Sequence, residues 1–208
     1  MNALKTCSLV AALLAAPALS QAQNYEWKLV NNAYPYQIGL NLPAACDQKV
    51  LSGFAHWNGA SRFSTTQSGR FFSGFLNPAS TDIQIQMEPA SRMVSGAINL
   101  AEAPPGTFIR WITVDGASVR ELRSAHVRVN ADYWASGEFH CGPNPVPFNT
   151  FDFAYVVAHE VGHVLGVGHG TPTLPQSCVM GIPLARSVPL PARCALESTR
   201  ARNLYGTP

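Results

Sequence analysis

The eleven residues His159-Glu160-Val161-Gly162-His163-Val164-Leu165-Gly166-Val167-Gly168-His169 gather three imidazoles and one carboxylate at a spacing suited to a catalytic metal. In a helix, residues four apart share a face, so His159 and His163 can point at one ion. Glu160 directly follows the first of them. A carboxylate there reaches water at the metal without being a ligand, which is the position of a general base. Gly166 can take a positive φ without steric cost, so the helix can end there and the chain turn back. His169 then becomes a third ligand and leaves the fourth tetrahedral position to water, as in catalytic rather than structural zinc sites.

These side chains need a helix seated on a sheet. The apolar run Phe153 to Ala158 leads into His159, and Asn149 or Thr150 can cap the helix. Upstream, Tyr36 to Leu40, Arg62 to Phe72 and Ala125 to Ala131 read as strands, and Asp82 to Met87 alternates with period two. Phe108 to Val114 reads as another strand or a strand-like loop. Val50, Leu51, Phe54 and Trp57 fall at helical spacing between Asp47 and Asn58, which predicts an amphipathic helix packed on the sheet. Gly142 to Pro147 is a proline-rich connection, and Gly170 to Arg193 is a longer irregular loop rich in proline. Glu197 to Leu204 reads as a short final helix ended by Gly206. Strands followed by a metal-bearing helix give an α+β layer architecture.

With three histidines and Gly166 in place, the motif resembles the metzincin metallopeptidases. Met180, within Ser177-Cys178-Val179-Met180-Gly181-Ile182-Pro183, resembles their methionine turn. The flanks are most similar to the matrixins: Ala125 to Trp134 resembles the edge strand and turn lining the substrate cleft, and Leu204-Tyr205-Gly206 resembles the end of their last helix. The resemblance spans most of residues 23–208 and is most specific over the motif and the methionine turn. It implies a twisted, mostly parallel sheet with an antiparallel edge strand, an active-site helix and a short C-terminal helix. It further implies one catalytic zinc held by His159, His163 and His169, with Glu160 as the base of a peptide hydrolase. A protein or peptide substrate would lie extended along the edge strand, and Ile182, Pro183 and Leu184 would wall the pocket for the residue after the scissile bond. The chain also departs from the pattern. Matrixins hold a second zinc and calcium in the loop before the edge strand. Here Gly96 to Arg123 has no histidine and only Glu102, Asp115 and Glu121 as acids, so calcium and a second zinc find no evident ligand set. Ile182 stands where some metzincins carry a tyrosine, so no fifth ligand is expected. His126, His140 and His56 read as ordinary strand, loop and helix side chains.

Lys5, the apolar run Leu9 to Leu19 and Ser20-Gln21-Ala22 read as a secretory signal, residues 1–22, followed by a single domain, residues 23–208. The run is too short for a membrane span and is interrupted by Pro17. Four cysteines follow the signal, and an even number in an exported chain argues for two disulfides. Of three possible pairings, Cys178–Cys194 with Cys46–Cys141 is favoured, because the first closes the segment after the methionine turn against the final helix. A thiol at Cys46 blocking the zinc is the alternative weighed against that pairing. A net charge of +2 and 12% charged residues argue against nucleic acid or an anionic membrane as the main partner. The expectation is a monomer, extracellular or periplasmic and without a stable membrane anchor. A non-catalytic secreted zinc domain that binds a protein or matrix partner is the competing class. Chelator-sensitive proteolysis separates the two.

Overall fold

The computed structural model describes residues 25–72, 76, 80–94, 99–169 and 174–208; the expected signal, residues 1–22, lies outside them. Strand β1 (Trp27–Leu29) and β2 (Ala33–Gly39) lead to helix α1 (Asp47–Ala55), then to β3 (Ser64–Phe71), β4 (Ile83–Glu88) and the two-residue β5 (Ala101–Glu102). Strands β6 (Phe108–Val114) and β7 (Ala117–Leu122) form a hairpin, followed by β8 (Val127–Asn130) and the short helix α2 (Ala131–Ala135). Two further short strands, β9 (Phe139–His140) and β10 (Phe151–Asp152), precede α3 (Phe153–Val164), and α4 (Ala195–Tyr205) comes last.

The main sheet runs β3-β2-β4-β8-β5. Its first four strands are parallel and β5 is antiparallel. The fold is therefore α+β with a mostly parallel sheet and an antiparallel edge. One placement differs from the sequence expectation. The Ala125 to Ala131 segment is not the edge: β8 is internal, pairing with β4 on one side and β5 on the other. The edge position was implied by the matrixin resemblance alone: Val127 and Val129 enter the core and Arg128 is half-buried, as in a strand, but β5 covers the free side. Of a second sheet, β1-β7-β6, only β6 has a counterpart in the sequence reading, at Phe108 to Val114. Its hairpin occupies much of the stretch compared above with a matrixin loop. There Asp115 accepts from Tyr25 Oη at 2.8 Å, while Glu121 pairs with Arg110 at 2.7 Å. Glu102 of β5 pairs with Arg128 at 3.2 Å.

Helices α1 and α3 pack on one face of the main sheet. Val50, Phe54 and Trp57 are fully buried there with Tyr36, Ile38, Ile83, Ile85, Val127 and Val129. The rings of Tyr36 and Phe54 stack 3.9 Å apart. Strand β4 puts Ile83 and Ile85 into this core, yet Gln84, Gln86 and Glu88 on its opposite face are buried too. Part of the cover there comes from the turn at Ala90–Arg92, whose Arg92 reaches Glu88 while its carbonyl accepts from Arg128 Nη1. Both favoured disulfides are present, Cys46–Cys141 and Cys178–Cys194. The first ties the start of α1 to the loop after β9. No helix among the described residues is long and apolar enough to cross a membrane.

Candidate metal centre

Helix α3 begins at Asp152, not at Asn149 or Thr150. Asn149 sits in the left-handed region at φ 62°, so the extended cap conformation falls three residues later. Asp152 Oδ1 accepts from Ala154 N–H at 3.1 Å and from Lys49 Nζ at 2.9 Å, and Oδ2 accepts from Leu190 N–H at 3.0 Å. The helix is buried almost all round, as a helix between sheet and loops must be. Two indoles hold it: Trp57 Nε1 donates to Ala158 O at 2.7 Å, and Trp27 Nε1 donates to Val164 O at 3.0 Å.

Two glycines of the motif are required by contact. A Cβ on Gly162 would overlap Met180 Sδ, so the helix can rest on the fully buried methionine only through glycine. Gly166, at φ 83°, ends the helix and lies against the Trp27 carbonyl, where a Cβ would again overlap. The turn beneath the histidines is fastened from behind. Buried Glu197, in the first turn of α4, accepts from the backbone N–H groups of Met180 and Cys194. The Cys178–Cys194 bond closes the same segment.

The turn at Gly166 brings His169 up to His159 and His163. Their Nε2 atoms form a triangle with sides of 3.0, 3.1 and 3.2 Å. His159 Nδ1 lies 2.8 Å from the Val179 carbonyl, which can only accept, so the hydrogen is on Nδ1 and a lone pair is on Nε2. His163 Nδ1 faces the Glu26 carboxylate at 3.1 Å with the same consequence. Lone pairs facing each other at this distance repel, and a cation between them removes the conflict. A tetrahedral ion with metal–nitrogen distances of about 2.0–2.1 Å separates its ligands by about 3.3 Å, close to this triangle. The donor set fits a metal ion. Burial, reinforced by the neighbouring His163, pushes His159 well below the ordinary imidazole range and His169 down to about 4, so both stay neutral and free to ligate. Burial also opposes charge on His163, but the bond to Glu26 and the charges of Glu26 and Glu160 outweigh it and raise its pKa. Of two clusters with ligand spacing among the described residues, the other contains the bonded sulfurs of Cys178 and Cys194.

Glu160 is 5% exposed, and burial, with smaller contributions from Glu26 and Glu102, lifts its carboxyl to about 7 against the opposing pull of His163. It opens with the three histidines into a cleft of about 640 Å³. Its lining includes β5 and the following Ala103-Pro104-Pro105, together with Ile182, Pro183 and Leu184. Phe151 and Arg186 also line it, the Arg186 guanidinium lying 4.2 Å over the Phe151 ring and pairing with Glu138. The site residues read from sequence thus converge: three histidines, Glu160 and the loop after Met180 share one cleft. Tyr133, within the Ala125 to Trp134 stretch expected to line the cleft, does so, and Arg186 follows the expected Ile182 to Leu184; Glu26 and Phe151 line it as well and carried no sequence signal. His126, His140 and His56 stay apart from it. His126 Nδ1 accepts from Gln84 N–H at 3.4 Å, His140 Nε2 contacts Pro143 O at 2.9 Å, and His56 lies edge-on to Trp57. Comparison with known proteins found no matching family model and no similar curated protein.

Proposed function

We propose that this protein is a secreted zinc-dependent endopeptidase of the metzincin type, most similar to the matrixins. One observation carries the reading: three imidazole Nε2 atoms within 3.2 Å of one another share a cleft with an enclosed carboxylate. His159, His163 and His169 hold the zinc. When bound, the metal supplies Lewis acidity toward a peptide carbonyl and brings the pKa of water into the neutral range. Glu160 takes a proton from the attacking water on its carboxylate and delivers it to the nitrogen of the leaving amine. A carboxyl lifted to about 7 is suited to both transfers near neutrality. The substrate lies extended beside β5, gaining main-chain hydrogen bonds by strand addition. Ile182, Pro183 and Leu184 wall the pocket for the residue after the scissile bond and favour an apolar side chain there. The two disulfides accord with an oxidising, extracellular or periplasmic setting.

The test is elemental analysis of the purified protein together with cleavage of a peptide library, with and without chelator. One zinc per chain and chelator-sensitive cleavage are expected. Zinc binding without any cleavage across the library would move the reading to a non-catalytic binding domain, and absence of zinc would remove it altogether.

A further inference from the structure

Glu26 reaches the candidate metal centre from 137 residues away in sequence. Its Oε1 and Oε2 lie 3.1 and 3.2 Å from His163 Nδ1. The segment carrying it is seated on the turn that delivers the third histidine. Tyr25 forms an antiparallel bridge with Val167, Glu26 N–H donates to Gly166 O at 3.1 Å, and Trp27 Nε1 donates to Val164 O at 3.0 Å. Strand β1 then continues along β7 through Leu29. Every one of these partners on the turn lies between His163 and His169. The two Nδ1 acceptors also differ in kind: His159 uses a backbone carbonyl, which no substitution removes, whereas His163 depends on a side chain.

We propose that Glu26 is a positioning residue of the metal centre, holding the hydrogen of His163 on Nδ1 so that its Nε2 lone pair faces those of His159 and His169. The inference rests on the reading of those three histidines as the ligand set. A carboxylate behind a ligating imidazole fixes its tautomer and ring orientation, raises its basicity and adds negative charge near a dication. The strand ahead of the catalytic fold thereby becomes part of the site rather than a leader to it. Loss of such a partner typically lowers metal affinity about 10–100-fold.

The experiment compares the parent with Glu26→Ala and Glu26→Gln, and with Glu121→Gln, on the hairpin, as a control. Zinc affinity is read by competition with a chromophoric chelator, the ligand field by the visible spectrum of the cobalt-substituted protein, and folding by thermal unfolding of the chelated protein. Glu26→Ala is expected to bind zinc about 10–100-fold more weakly with a shifted cobalt spectrum. Its chelated form should unfold with the parent, because the backbone bonds of Glu26 remain. Glu26→Gln keeps an acceptor without the charge and should fall between them. Zinc affinity within twofold of the parent and an unchanged cobalt spectrum in Glu26→Ala overturn the proposal while leaving the ligand reading intact. A parent that binds no zinc overturns both. If Glu26→Ala does not fold, Glu26→Gln decides: parent-like affinity overturns the proposal and reduced affinity supports it.

Discussion

Glu160 and His163 sit three residues apart on α3 and should fail in different ways when replaced. Glu160→Gln removes the proton acceptor but no ligand. Zinc should stay bound with the fold intact, while peptide hydrolysis falls about 10²–10⁴-fold. His163→Ala removes a ligand, so the metal should be lost and thermal stability should drop with it. Metal content and kcat/KM measured on both variants check the pair, and a Glu160→Gln protein as fast as the parent removes Glu160 as the base. That Glu160 and the three histidines would come together was legible in the sequence because they are packed into eleven consecutive residues. The residues that complete the cleft were not. Glu26 and Phe151 are brought there by the fold alone, and neither carries a motif that hints at it.

At the scale of elements, the helix rests closely on the Met180 turn and invites a small-to-large test. Gly162→Ala forces a methyl group against Met180 Sδ and the Trp57 ring. Overpacking of this kind costs about 1–3 kcal/mol. Urea unfolding of the variant should show that loss, with weaker zinc retention because the whole ligand helix must shift. Strand β8 offers a second test, through pH. Burial, then the charge of Arg128, lowers His126 to about 4. The unfolded chain therefore binds more protons than the folded one between pH about 6.5 and 4. The neutral form's stability is fully present above that window and is lost as pH falls through it, by up to about 1.4 kcal/mol per pH unit. Unfolding of chelated protein at pH 7 and 4.5 should show a smaller loss for His126→Asn than for the parent; equal losses would discard this role for His126. The strands and helices with clear periodicity, β4 and α3 above all, could be read directly from the sequence. β5 could not, because two residues carry no period, and the edge position given to β8 came from the matrixin resemblance, since a strand's own sequence does not reveal how many neighbours it has.

Across the whole molecule, distant segments meet on one hydroxyl. Tyr205, on α4, accepts from Leu29 N–H of β1 at 3.0 Å and donates to Leu165 O, at the end of α3, at 2.9 Å. All three groups are buried. Tyr205→Phe leaves an amide and a carbonyl without that partner, and each unsatisfied buried group costs about 1–3 kcal/mol. The variant should lose at least that much stability in denaturant unfolding while keeping its disulfides. A change under half a kcal/mol would mean that water replaces the hydroxyl. No sequence period encodes this junction, since its members are separated by 40 and 176 residues.

The brevity of β5 has a consequence for how copies of this chain behave toward one another. An open sheet edge presents a row of amides and carbonyls to any extended chain, another copy of the same protein included. Here the row is two residues long and runs, after Ala103, into Pro104 and Pro105, which have no amide hydrogen to offer. A short guest held by its side chains can lie there and leave, whereas a long strand cannot zip along the edge. The brevity that would limit a guest peptide at β5 to a few main-chain bonds also keeps a second copy from pairing at length along this one edge.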